Sequence, residues 1–369
     1  MRAPRVLHVD TGLTWRGGQR QVLFLHRGLL RRGIESHLLC SSGGELLARA
    51  QAEGLPVTGL ALRGEWDLAS AWRIASALRI SGATHVHLHS SHAQTLGLLG
   101  SAMSGIRNVV VTRRVDFVPG RHFLNRWKYG PRVARFVAIS RAIQDILIGV
   151  GVPIERIRLV PSGVELNRGT PGEGRAFREE LGLAENQPLI GNIGHLADHK
   201  GQRYLVEAVP LVLRDFPRAK FVIVGHGELE VELKARADAL GLGGHLVFTG
   251  FRRDVAAILD ALDVFVLPSH LEGLGTIVLD ALAARKPVVA TRTGGVPDII
   301  EDGREGLLVP PRDPKALASA LSRLLSDSEL ACALAEEGHR KVEQDFSVDR
   351  MVEGNLALYR ELPGLGAEL

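Results

Sequence analysis

Ser269-His270-Leu271-Glu272-Gly273-Leu274-Gly275-Thr276-Ile277-Val278-Leu279-Asp280-Ala281 follows, after Pro268, the apolar run Val264–Leu267. Four apolar residues stopped by a proline read as a strand buried on both faces, and the apolar stretch 276–284 reads as a helix. Between them, Gly273 and Gly275 allow a sharp turn and let backbone N–H groups approach an anion. The helix dipole adds about half a positive charge there. Two carboxylates flank the turn, Glu272 before it and Asp280 inside the helix. Eight helical residues rotate about 800°, a net of about 80°, and rise about 12 Å, so both side chains should reach one wall. That spacing is too wide for the carboxylate pair of a glycosidase and suits two contacts on one extended ligand. The stretch is one strand, glycine loop and helix of an α/β domain.

The same alternation extends in both directions. Downstream and upstream of the quoted stretch, strands are predicted at 189–193, 220–224, 245–249, 288–290 and 306–309, with helices at 202–214, 229–240 and 255–262. The first half adds strands at 6–9, 36–40, 85–89, 108–112, 135–139 and 157–160. Its helices are predicted at 19–31, 67–80 and 141–148, ended by Gly33, Gly82 and Gly149. Residues 167–174, Asn-Arg-Gly-Thr-Pro-Gly-Glu-Gly, read as a linker. The chain from Lys315 onward reads as mostly helical. Two doubly wound Rossmann-like domains are expected, 1–166 and 175–346, with 347–369 as a helix returning to the first.

Composition agrees. The 369 residues are 45% hydrophobic and 23% charged, which excludes a disordered, collagenous or disulfide-stapled chain. No apolar run approaches the ~18–20 residues of a membrane span. Met1-Arg2-Ala3-Pro4-Arg5 leads straight into the first strand without a signal-peptide pattern, so a cytoplasmic location is expected. Cys40 and Cys332 read as small hydrophobes in a reducing compartment. Residues 1–168 carry 23 Arg and Lys against 10 Asp and Glu, a balance of +13, and the rest of the chain balances at −9. A basic half of this kind suits an anionic partner: an acidic lipid surface, a phosphorylated acceptor or nucleic acid. No nucleic-acid-binding module accompanies it.

In open α/β sheets ligands bind beyond the carboxyl ends of the strands. The loops at those ends collect the polar and glycine residues: Thr14 to Gly18, His89 to His92, Thr112 to Arg114, Gly194 to Gly201, Gly225 to Glu228, Phe251 to Arg253, Ser269 to Gly275 and Thr293 to Gly295. Gly17-Gly18 stands before one helix as Gly273-Leu274-Gly275 stands before another.

The quoted stretch resembles the signature of the GT4 family of retaining glycosyltransferases, which have the GT-B fold of two Rossmann-like domains facing each other across a cleft. The resemblance also covers Gly17-Gly18, Pro161-Ser162-Gly163-Val164, Gly225-His226-Gly227, Phe248-Thr249-Gly250-Phe251 and Thr293-Gly294-Gly295-Val296-Pro297. It implies transfer of a sugar from a nucleotide-sugar donor to a glycan or glycolipid acceptor, with no metal or other cofactor. Donor would sit in the second domain and acceptor in the first. Glu272 would lie near the donor sugar and diphosphate, Asp280 near the ribose, and Lys200 on the diphosphate. Backbone amides at Gly17, Gly18, Gly273, Leu274, Gly275 and Thr276 would meet sugar and phosphates, with Gly227 in the same site. Phe251 and Arg252 would stand near the base.

Three features depart from the family pattern. Asp280 replaces Glu, His195 stands where Arg is usual, and Arg113-Arg114 follows the strand that usually leads to a His touching the donor sugar, so Arg114 and His92 are expected to contact substrate, with His89 as a further substitute. Arginine binds phosphate through two bonds and is always charged, whereas histidine is charged only near or below its pKa. We expect Lys200, His195 and the helix start after Gly275 to stabilise the leaving diphosphate. Arg113, Arg114, Arg121, His122, Arg126, Trp127, Lys128, Tyr129 and Arg132 form the densest basic and aromatic stretch, expected to approach an anionic membrane surface carrying a lipid-linked acceptor such as a lipopolysaccharide core. A nucleotide-sugar epimerase and a non-turning nucleotide-sugar-binding protein are the alternatives. A dinucleotide oxidoreductase is disfavoured, since no strand leads into Gly-x-Gly-x-x-Gly.

Overall fold

The computed structural model describes residues 3–62, 64, 67–120, 123–166 and 172–362. Residues 167–171 of the expected linker, and Arg121 and His122, lie outside the described residues. The chain divides into two compact units, one built from residues up to Gly163 together with those from Val348 on, the other from Val164–Ser347.

The first unit holds seven strands: β1 Val6–Asp10, β2 Ser36–Ser41, β3 Val57–Leu60, β4 His85–Leu88, β5 Val109–Arg113, β6 Arg135–Ala138 and β7 Ile157–Leu159. They form one parallel sheet in the order β3-β2-β1-β4-β5-β6-β7. β1, β4 and β5 are buried along their whole length, as expected of strands covered by helices on both faces. β3 escaped the sequence reading because it is short, half-exposed and at the edge, with Gly59 inside it. A Cβ on Gly59 would come 2.7 Å from Leu47 Cδ2, so that glycine makes room for the helix Glu45–Ala52.

The helix Val348–Glu361 belongs to this unit and lies on the helix Gly17–Arg31. Met351, Val352, Leu356 and Tyr359 share one buried cluster with Phe24, Leu25 and Leu29. Val352 fills the space left by Gly28, where an added Cβ would stand 2.4 Å from its Cγ2. Arg32 bonds Asp349 across the same contact at 2.7 Å.

The second unit holds β8 Leu189–Ile193, β9 Lys220–Val224, β10 Leu246–Gly250, β11 Val264–Leu267, β12 Val288–Thr291 and β13 Leu307–Val309. These strands run parallel in the order β10-β9-β8-β11-β12-β13. Strand order therefore reverses between β8 and β11 here, and between β1 and β4 in the first unit. Reversal points are where adjoining loops diverge and open a crevice at the carboxyl edge. Cys40 is buried on β2, but Cys332 is exposed on the helix Ser328–Asp345, so only the first behaves as the small hydrophobe expected of both.

Candidate functional site

At the reversal point of the second sheet, the loop after β8 supplies Lys200 and the loop after β11 supplies Glu272. Lys200 Nζ lies 2.6 Å from Glu272 Oε2, with the lysine side chain 24% and the glutamate 11% exposed. The buried Ser269 donates its hydroxyl to the same carboxylate oxygen at 3.3 Å. Glycines hold both partners in place. Gly201 has φ +67°, and a Cβ there would meet Pro268 O at 2.1 Å; Gly294, at φ +50°, leaves only 1.6 Å between such an atom and Glu272 O. The Gly295 N–H donates to that same carbonyl at 3.1 Å.

The helix Thr276–Ala283 starts from Gly275, which has φ +87° and gives no side-chain cap. Four helices elsewhere are capped by Asp67, Ser140, Asp313 and Asp327, whereas others, such as Glu45–Ala52 and Ser91–Ser104, also lack a side-chain cap. An uncapped helix start beside a lysine favours an anion. Gly273 and Leu274 form the loop before it, and Leu274 is buried.

Because Glu272 to Gly275 is not helical, the eight-residue rotation expected from the sequence does not apply. Asp280 is only 4% exposed, and the Glu272 side chain 11%. The non-helical loop corrects the expected geometry of the carboxylate pair.

Beside Lys200, the loops after β8 and β9 approach through their backbones. A Cβ on Gly225 would stand 1.9 Å from Gly194 O, and one on Gly227 would stand 2.3 Å from Leu196 O. Gly227 thus serves loop packing. His195 Nε2 lies 3.1 Å from Glu228 Oε2. The Glu228 carboxyl is held below its ordinary range, first by its own backbone N–H and then by His195. The rings of His195, His226 and Phe251 follow edge to face at 5.7 and 5.6 Å, and Phe251 is 52% exposed.

Arg252 is engaged by acidic neighbours. It bonds Glu180 through both terminal nitrogens at 2.8 and 3.0 Å, bonds Asp254 at 2.9 and 2.7 Å, and lies over the Phe177 ring. In this structure it clamps the helix Gly174–Glu180 to the loop that follows β10.

At the reversal point of the first sheet, Gly17 and Gly18 open the helix Gly17–Arg31, again without a side-chain cap. Arg114 lies against this turn, its Cδ 3.5 Å from where a Cβ on Gly18 would stand. Burial lowers its guanidinium to about 10, against the pull of Asp10 and Tyr359. His92 is exposed on the first turn of the helix Ser91–Ser104, while His89 is buried. Of the basic stretch, Arg113 bonds Tyr129 OH and Phe117 O, and Lys128 is only 8% exposed. Those two cations are thus turned inward, contrary to the expected basic surface, whereas Arg126 and Arg132 are exposed.

Beneath Arg114 lies a group of histidines that sequence reasoning did not single out as a set. His8 on β1 is in register with His87 on β4. His85, His87 and His89 alternate, so they share one face, a signal legible in the sequence. His8 Nδ1 lies 2.9 Å from His89 Nε2. His87 bonds Tyr359 OH at 2.5 Å and Thr112 Oγ1 at 2.6 Å. Burial holds His8, His87 and His89 well below the ordinary histidine value, and like charges nearby add to the effect. The donor atoms of these three lie within 4.8 Å of one another, close enough to gather round a metal ion. The donor set fits a cation poorly: both His87 nitrogens are engaged, and Arg114 donates to His89.

Two family models match the chain: Glycosyltransferase Family 4 over residues 15–168 and Glycosyl transferases group 1 over residues 174–341. A D-inositol 3-phosphate glycosyltransferase of Corynebacterium jeikeium is 35% identical over 242 residues, 62% of this chain and 58% of that protein. The lipopolysaccharide core biosynthesis glycosyltransferase LpsE of Rhizobium meliloti is 32% identical over 195 residues, 52% of this chain and 56% of its own. The chain thus spans between half and two thirds of the length of these relatives. The crystal structure of Anabaena HepE in complex with UDP and glucose superposes with a TM-score of 0.86 at 20% identity, covering 97% of this chain and 100% of that one. At that identity the likeness is one of fold.

Proposed function

The chain belongs to the group 1 glycosyltransferases of glycosyltransferase family 4, and on that premise we propose that it moves a sugar, with retention at the anomeric carbon, from a nucleoside-diphosphate donor to a hydroxyl of a glycan or glycolipid. The second unit takes the donor nucleotide and the first the acceptor, and Arg114 contacts the donor sugar. The observation that carries this reading is Lys200 paired with Glu272 at the reversal point of the second sheet, beside the uncapped helix start at Gly275. The acceptor oxygen bonds to the anomeric carbon as the bond from that carbon to the diphosphate oxygen breaks, and the acceptor's hydroxyl proton passes to that departing oxygen. Charge gathers on the departing diphosphate oxygen, where Lys200, His195 and the helix N–H groups stabilise it. Glu272 accepts hydrogen bonds from donor-sugar hydroxyls.

A thermal-shift panel of UDP-glucose, GDP-mannose and ADP-glucose tests the donor site. A ligand at about 100 times its Kd adds roughly 2.7 kcal/mol of stability. No shift with any of them, or with UDP and GDP alone, removes the reading. Isomerisation of the donor without acceptor identifies an epimerase, and binding without transfer or hydrolysis identifies a non-turning binding protein.

A lipid-linked acceptor is supported by Val115, Phe117 and Val118, which are 49, 56 and 75% exposed in the segment that also presents Arg126 and Arg132. Apolar residues set among cations suit an anionic bilayer surface. Among the described residues no helix is long and apolar enough to cross a membrane. Flotation with vesicles containing phosphatidylglycerol at low salt tests this contact, and absence of binding removes it.

A further inference from the structure

We infer that His8 and His89 are positioning residues, which fix the direction of Arg114 against Gly18 through a chain of single tautomers running from the guanidinium into the sheet. The consequence for turnover rests on the reading of Arg114 as a substrate contact; the chain itself rests on geometry alone.

Arg114 can only donate, and its terminal nitrogen lies 3.4 Å from His89 Nδ1. His89 Nδ1 must therefore accept, which leaves the hydrogen of the neutral ring on Nε2. That nitrogen lies 2.9 Å from His8 Nδ1, which must accept in turn, so His8 carries its hydrogen on Nε2. The chain ends there, at a nitrogen with no hydrogen-bond partner among the described residues. Each donor–acceptor direction follows from the one before it, starting from a group that has no acceptor to offer.

The surroundings hold this arrangement. The His87 ring lies 4.1 Å from that of His89 and is itself fixed between Tyr359 and Thr112. His26 faces His8 from the helix Gly17–Arg31 at 5.9 Å, and His85 stands two residues before His87 on β4. Asp10 on β1 and Tyr359 on the helix Val348–Glu361 act electrostatically on Arg114. A proton added to His89 would turn its Nδ1 into a donor facing a donor and cancel the bond to Arg114. The direction of Arg114 thus depends on the two rings staying neutral, which burial favours.

Long-range proton–nitrogen spectra of the imidazoles, recorded on the full chain at pH 7.5, read the tautomers without any ligand. His8 and His89 should both appear as Nε2–H forms, and Arg114→Met should remove that preference at His89. An Nδ1–H form of His89 in the wild type overturns the inference. Kinetics then tests its use, with UDP-glucose as donor, or GDP-mannose where the panel selects it. His89→Phe keeps a ring without the acceptor and should raise the donor KM about 10-fold, the scale of a bond to a charged group. His89→Asn places Oδ1 where Nδ1 stood and should restore KM to within about 3-fold. His89→Phe with a wild-type KM, while Arg114→Met loses affinity, overturns the positioning role. A wild-type KM in Arg114→Met instead removes Arg114 as a substrate contact, and the spectra still decide the tautomer chain.

Discussion

Lys200 Nζ lies 2.6 Å from Glu272 Oε2, across 72 residues of sequence, so a cation and a carboxylate neutralise one another at the carboxyl edge of the second sheet. A diphosphate drawn to Lys200 competes with that carboxylate. Lys200→Ala should lower kcat by at least about 10²-fold, the scale of one lost electrostatic donor. Glu272→Gln removes the competitor, so it should tighten UDP binding in calorimetry while lowering turnover. Unchanged turnover in Lys200→Ala, or weaker UDP binding in Glu272→Gln, contradicts the assignment.

Gly201 and Gly241 separate backbone strain from collision. Both have positive φ, +67° and +69°, but a Cβ at Gly201 meets Pro268 O at 2.1 Å while one at Gly241 meets nothing within 4 Å. Gly241→Ala should cost about 1 kcal/mol, the strain of the left-handed conformation alone. Gly201→Ala should cost clearly more and displace Lys200. Urea unfolding of the two variants checks this, and equal losses would refute the packing role of Gly201.

Arg252 is engaged by Glu180 and Asp254 on a partly exposed surface. Arg252→Met should lower stability by about 1 kcal/mol, as for a small exposed ion-pair network, and leave donor affinity unchanged. A large rise in the donor Kd with no change in Tm would restore Arg252 to the binding site.

Acid should weaken the first unit. Burial brings His26 and His85 down to about 4. Below pH about 6.5 the unfolded chain takes up protons that the folded unit refuses until about pH 4. The stability from these rings is therefore fully present above pH 6.5 and is lost as pH falls toward 4. Each pKa unit is worth about 1.4 kcal/mol, so the loss is about 3 kcal/mol for each of the two. Melting curves from pH 7.5 to 4.5 should show Tm falling across that window, and a flat Tm counts against the buried neutral rings.

Local pattern made most of the fold readable. β8, β9 and β11 are short apolar runs, two of them bounded by Pro188 and Pro268, and each begins and ends where the sequence reading put it. β3 was not readable, because a half-exposed edge strand with a glycine inside lacks both strand patterns. Lys200 and Glu272 could be named from their motif, but their pairing depends on β8 lying beside β11. Asp280 lies inside the helix that the sequence reading began at 276, but its burial is set by tertiary packing and was not readable. The clamp on Arg252 depends on Glu180, 72 residues earlier in the chain, and no local pattern announces such a partner. The histidines alternate visibly on β4, yet their joining with His8 needs the β1–β4 pairing.

The helix Val348–Glu361 completes the core of the first unit although the whole of the second unit is translated before it. On the ribosome, seven strands emerge and wait, with Phe24, Leu25 and Leu29 lacking a cover, until some 185 further residues have been added. At about 5–20 residues per second that interval is on the order of ten seconds or more, during which the nascent sheet offers an apolar face to chaperones.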